Sequence, residues 1–346
     1  MRKRHFLTAF FLCSIIGLVG YKVYKKNMEP SSEVSKPVKF SYTLSESEVT
    51  PSTEEKKANE LDFENTTYQY DVVTGATQTI FGSNPKPLFS YEEKLKKMFW
   101  SNQPPLGLLE GNYFTNEGYF DVGNKGIVEI VTDETNKIIN IEFNEYAAEN
   151  YYASKYAGAN KRLSDYAFLQ AKNPRTDTTL VTVVNGITFV EKQMREENRV
   201  TGNFETVKGS STTARQGLMA IAAELSEEIK QPSKTKYIGY TEEFGDGLIG
   251  RLQLTVMDGK IQTARYDEYF ADQPEKINAD QLKPYYRQSK YFSLDYNAAT
   301  NNDFVTFSND LTRKIIEQQS LTIEDSKLMQ HPSFVSYQKL MQHISL

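Results

Sequence analysis

Apolar and polar residues alternate over Gly126–Thr132 and again over Lys137–Phe143. A period of two sends alternate side chains to opposite faces, so the spacing predicts two half-buried strands joined as a hairpin. The pattern returns at an offset of 123 residues, Lys137 against Lys260. Strands are expected over Arg251–Met257 and Lys260–Tyr266, with Asp258-Gly259 as a two-residue turn. Both hairpins run on into related segments, Asn144-Glu145-Tyr146-Ala147-Ala148-Glu149 and Asp267-Glu268-Tyr269-Phe270-Ala271-Asp272. Repetition on this scale marks repeated modules.

Helical spacing follows each hairpin. Leu218, Ile221, Leu225 and Ile229 share one face of a helix, and Phe307, Leu311 and Ile315 share one face of another. Further upstream, Ser90 and Glu93 form a capping box before Leu95, Met98 and Phe99, while Gly82, Pro85 and Pro87 keep that helix from starting earlier. The expected architecture is α+β: two related modules, each a twisted, mainly antiparallel sheet with helices packed on one side.

The N-terminus reads differently. Arg2, Lys3 and Arg4 precede an apolar run from Phe6 to about Val23, just long enough to cross a bilayer as a helix. No Ala-x-Ala-like cleavage site follows, which predicts a retained single-pass anchor with the rest of the chain outside the cell. Lys22, Lys25 and Lys26 balance the leading charges, so charge bias alone leaves the orientation open. Cys13, preceded by Phe11 and Leu12, reads as a small buried hydrophobe rather than a lipidation site. From Asn27 to about Asp62 the chain is rich in Ser, Glu, Lys, Pro and Thr, the composition of a solvated tether.

Composition narrows the chemistry. A net charge of −5, from 45 Asp and Glu against 40 Lys and Arg, supplies no basic field for nucleic acid. One cysteine and three histidines (His5, His331 and His343) nearly exclude thiol catalysis, a Cys/His zinc site and a disulfide framework. Tyr and Phe number 22 and 20, clustered over Tyr113–Phe120, Tyr146–Tyr156 and Tyr285–Phe292, and such residues read first as half-buried sheet positions. Glu145 with Glu149, and Asp267 with Asp272, read as a solvated face.

Directly after the tether stands Tyr70-Asp71-Val72-Val73-Thr74-Gly75-Ala76-Thr77. This stretch resembles the FMN-binding domain family, found in a flavin-carrying component of sodium-pumping NADH:quinone reductases and in flavin-bearing surface lipoproteins of Gram-positive bacteria. That family's pattern, Asp-x-x-(Ser/Thr)-Gly-Ala-(Thr/Ser), is matched by Asp71, Thr74, Gly75, Ala76 and Thr77. The resemblance implies that a flavin transferase joins the phosphate of FMN, donated by FAD, to the Thr77 hydroxyl. Gly75 and Ala76 clear bulk beside an acceptor that must enter another enzyme's site, and Gly lets the backbone bend there. Worn versions stand at Glu205-Thr206-Val207-Lys208-Gly209-Ser210-Ser211 and at Asn297-Ala298-Ala299-Thr300. Lys208, Ser210 and Ala298 depart from the pattern, so Ser211 and Thr300 read as structural remnants.

The segments are then an anchor over 1–26, a tether over 27–63, the motif and its helix over 64–100, modules over 101–231 and 232–324, and a tail over 325–346 with room for a helix. The resemblance implies an electron carrier, without turnover of its own, between a membrane NADH- or quinone-linked reductase and an external acceptor. Two other readings stay open. One is a flavin-free surface protein of the same fold that binds a ligand, wall polymer or partner. The other is a wall-glycan hydrolase working through two carboxylates.

Overall fold

The computed structural model describes residues 59–63, 66–70, 72–74, 90–96, 103–172, 183–207 and 212–346, all within one compact unit, Lys56–Leu346. The anchor and most of the tether, the Asp71 and Gly75–Thr77 positions of the motif, and Ser211 lie outside the described residues. Strands β1 (Asn59–Phe63) and β2 (Thr66–Tyr70) form a small antiparallel pair. Strand β3 (Val72–Thr74) follows, and α1 (Tyr91–Lys96) begins directly after Ser90, where the capping box put it.

Two three-strand meanders make the body. The first is β4 (Gly107–Phe120), β5 (Asn124–Thr132) and β6 (Ile138–Tyr146). It is followed by α2 (Tyr166–Lys172), α3 (Val183–Glu196), β7 (Glu205–Val207), a π-helix over Thr212–Met219 and the short α4 (Ala220–Ala223). The second is β8 (Thr235–Glu243), β9 (Leu248–Met257) and β10 (Lys260–Phe270). After it come α5 (Leu294–Ala299), α6 (Asp303–Gln318), α7 (Ser326–Met329) and α8 (Ser333–Met341). Both predicted hairpins are present, and the turn at Asp258 (φ 51°) and Gly259 (φ 72°) has the two left-handed residues that a two-residue hairpin loop demands.

The expected pair of separate sheets is instead one six-stranded antiparallel sheet, ordered β10-β9-β8-β4-β5-β6. The meanders join edge to edge, β4 against β8, from Gly107 opposite Thr241 to Asn112 opposite Lys236. This pairing satisfies two backbone edges that separate sheets would leave open.

The sheet is strongly curled. Arg265 on β10 bonds Glu129 on β5 at 2.6 and 2.8 Å, and Arg251 on β9 bonds Glu142 on β6 at 2.9 Å. Each pair links strands four places apart, which in a flat sheet would stand about 19 Å from one another. An Arg and a Glu side chain cannot span that gap, so the face carrying them is concave. Short extended segments continue the ladder at both ends, through bridges Tyr146 to Asn160 and Tyr269 to Ser289. They meet where Ser289 N donates to Leu163 O at 2.9 Å, closing the sheet into a barrel along a seam opposite the β4–β8 junction.

Helices cover the convex face. Phe114, Val128, Ile130, Ile141 and Phe143 pack against Ile187, Val190, Met194, Leu218 and Ile221. In the second half Leu252, Leu254 and Tyr266 pack against Phe304, Phe307, Leu311 and Ile315. The predicted apolar faces are therefore core, although the first changes helix type along its length. The C-terminal tail is helical and integral, since Phe334, Tyr337, Leu340 and Ile344 complete the second core.

Candidate functional site

Strand β3 is the part of the intact motif whose backbone is placed. It pairs antiparallel with β7, Val72 opposite Val207, Val73 opposite Thr206 and Thr74 opposite Glu205. Strand β7 is the first half of the worn segment Glu205–Ser211, so the two motif copies begin on one ribbon. The ribbon is fastened to α3 by Gln193, whose Nε2 donates to Glu205 O at 2.8 Å and whose Oε1 accepts from Glu205 N at 2.9 Å. Thr206, at the centre of β7, is buried.

The chain then enters the π-helix. Gly217 lies so close to Phe120 and Phe143 that an added Cβ would stand 2.8 and 2.9 Å from their ring carbons. The missing side chain is what lets this helix approach the sheet. Short π-helical stretches are rare and recur at functional sites, and here one follows a motif remnant directly.

Thr300 is a different case. It caps α5, and both its N–H and its Oγ1 donate to Tyr296 O at 2.9 Å. It also precedes the long helix α6, whereas Glu205–Ser211 follows the long helix α3. Thr300 therefore occupies a different place in its half of the fold.

The acidic-aromatic segments are not a solvated face. Glu145 is 1 % exposed and holds Lys161 at 2.6 Å, and Glu268, equally buried, holds Lys290 at 2.5 Å. Burial of these pairs requires each charge to be compensated. Beside these pairs the equivalent residues differ by one hydroxyl: Tyr266 donates its own to Glu268 Oε1 at 2.6 Å, whereas Phe143, 123 positions earlier, has none to give. Glu145 Oε2 is accordingly without a hydrogen-bond partner. The rings of Tyr151 and Tyr166 lie 4.8 and 5.3 Å from Lys161 Nζ. Glu149 is exposed, and Asp272 pairs with Lys276 at 2.9 Å.

The concave face is polar and locked. Burial alone would raise the Glu142 carboxyl, but the guanidinium groups of Arg251, Arg162 and Arg265 bring it down to about 2. Glu191 goes the other way, raised by burial although Arg162 bonds it at 2.6 Å. Tyr113 donates to Glu129, and Tyr237 accepts from Arg251 and Gln253 at 3.2 and 3.0 Å. Sequence reasoning missed this network because its partners lie 109 and 136 residues apart. The signal available was the opposite charge at the polar positions of the two hairpins, Glu129 and Glu142 in the first and Arg251 and Arg265 in the second.

The aromatic clusters serve mainly as packing, as their density at sheet positions suggested, with Tyr119 and Tyr152 the exceptions at 72 % and 66 % exposed. His331 stacks on Phe307 and faces Asp303 at 3.1 Å, and His343 stacks on Tyr240, so each imidazole is held by an aromatic ring. Among the described residues no group of three His, Cys, Asp or Glu could hold a metal ion, and no helix is long and apolar enough to cross a membrane. The apolar run Phe6–Val23 lies outside them. No protein family, curated protein or solved structure matches the chain.

Proposed function

We propose that this chain is a membrane-anchored extracytoplasmic flavoprotein that carries FMN on Thr77 and passes electrons from a membrane reductase to an external acceptor. The observation that supports it is the β3–β7 ribbon. This pairing ties the start of the motif to the first module. Thr77 follows Thr74 by three residues, a span of about 11 Å at most. A flavin attached there stays within reach of the body that β7 belongs to.

The sequence at Thr77 fits such an attachment, which needs a hydroxyl beside small residues such as Gly75 and Ala76. Thr77 would hold the group through an ester between its hydroxyl oxygen and the FMN phosphate, with FAD as donor, AMP as leaving group and the hydroxyl proton taken up by the transferase. Bound flavin supplies the redox chemistry, and the chain's own part is to hold it outside the membrane. Covalent attachment prevents loss to the medium.

Intact mass of the full chain, made with and without a flavin transferase, tests this reading. An FMN-sized increment that disappears in Thr77→Ala is the expected result. Protein that stays colourless and unmodified beside an active transferase refutes it. That outcome would favour the flavin-free binding reading, to which the Thr300 hydroxyl committed to Tyr296 O already lends weight. The two-carboxylate hydrolase gains nothing from the concave face, where Glu129 and Glu142 are tied to arginines.

A further inference from the structure

We infer that a cleft in the first module, where the β5–β6 turn, the residues after α3 and the 3-10 helix Glu228–Lys230 meet, binds one neutral sugar unit. The cleft holds about 290 Å³, at the small end of the range for ligand sites. Val200 and Ile229 give it a buried apolar side, and Asn136, Asn198, Thr201 and Ser226 give it amides and hydroxyls. A sugar ring has the same two characters, apolar C–H faces and a rim of hydroxyl groups.

Two amide side chains there are each half used. Asn136 Nδ2 donates to Lys230 O at 3.1 Å, and since a carbonyl can only accept, the orientation of this amide is fixed. Its Oδ1 is left buried without a hydrogen-bond partner, a rare and costly state for an acceptor. Asn198 is oriented in the opposite sense by Ile138, whose N–H donates to Asn198 Oδ1 at 2.7 Å, so the donor Nδ2 is the end left over. The cleft therefore asks its occupant for one donor and one acceptor.

The second half closes the same corner. Gly259 stands 123 positions after Asn136 and offers no side chain. Gln319, directly after α6, spends both ends of its amide on Ile261, the counterpart of Ile138: Oε1 accepts from Ile261 N at 2.8 Å and Nε2 donates to Ile261 O at 3.0 Å. Asn198, one methylene shorter, makes only the first of these bonds. The unspent polar ends belong to the first half alone.

The charged residues of the cleft are occupied. Arg199 donates to Glu197 at 2.6 Å and to the carbonyls of Thr201 and Asn203, with its guanidinium over the Phe204 ring, and Lys230 pairs with Glu227 at 2.5 Å. An anion would have to compete with these contacts, whereas a hydroxyl or acetamido group leaves them intact. No residue of the flavin motif takes part, so this site stands or falls independently of Thr77.

Titration of the ¹⁵N-labelled full chain with N-acetylglucosamine, which carries an N–H donor and a C=O acceptor beside its hydroxyls, tests the assignment. The side-chain amide signals of Asn136 and Asn198 should shift and saturate with a Kd of about 1–10 mM, in keeping with so small a ligand. Asn136→Gly copies the second half and suits the left-handed backbone at φ 63°, and it should weaken binding roughly tenfold. Asn198→Asp keeps the acceptor for Ile138 N, loses the donor, and should weaken binding similarly. A β-linked trimer of the same sugar that binds at least as tightly assigns the end of a glycan chain as the source, and weaker binding assigns the free sugar. Shifts that fail to saturate by about 100 mM, saturation by glycerol or inorganic phosphate at the same concentrations, or binding undiminished in either variant would each overturn the site.

Discussion

Replacing Glu142 by Gln leaves Arg251 buried at 4 % side-chain exposure with its carboxylate partner gone. The pair sits on the concave face, where Arg251 Nη1 reaches both carboxylate oxygens at 2.9 and 3.2 Å. The Glu142 carboxyl is lowered from 4.5 to about 2, and that difference corresponds to about 3 kcal/mol of preference for the folded state. A lowered acid contributes its stability above the unfolded value and loses it as pH falls toward the folded one, so the window runs from about 4.5 down to about 2. Urea unfolding of Glu142→Gln should therefore show a loss of about 3 kcal/mol near neutral pH, with a drop in melting temperature of roughly 6 °C or more. The loss should shrink steadily below the ordinary carboxylate range. Adding Arg251→Met should restore part of it, because a buried pair removed whole costs less than a charge left alone. A loss as large near pH 2 as at neutrality, or one under about 1 kcal/mol, would refute the coupling.

Two further outcomes follow from packing. Gly217→Ala would press a methyl into the rings of Phe120 and Phe143, and should cost about 1–3 kcal/mol of stability by thermal or chemical melts, against near neutrality for an exposed glycine. Truncation after Glu324 removes Phe334, Tyr337 and Leu340, all 3 % exposed or less, and should forfeit roughly 5–9 kcal/mol, read as loss of cooperative unfolding.

The hairpins were legible because each buries one face under helices, which prints a period of two on the chain. Strand β4 was harder to see. Its burial alternates along its length but changes phase near Gly111, only Asn112, Phe114 and Phe120 are fully buried, and its aromatic residues read as a cluster before they read as a strand. Glu145 and Asp267 were assigned to solvent because a carboxylate in isolation belongs there, and only the fold supplies Lys161 and Ser289. The closure of the sheet left no local trace, since its ion pairs join strands remote in sequence. Of the motif, Val72–Thr74 gained a partner that no spacing predicted, because the pairing with β7 spans more than a hundred residues.

The shared sheet also bears on descent. Either meander alone would expose the raw edge of β4 or β8 and strand half of every cross-barrel ion pair, Glu129 and Glu142 on one side, Arg265 and Arg251 on the other. A single ancestral unit could escape that state by docking on a twin, edge to edge, with the oppositely charged positions facing. Fusion of two such twins into one polypeptide would free each copy to diverge, and the two halves do differ at Phe143 against Tyr266 and at Asn144 against Asp267.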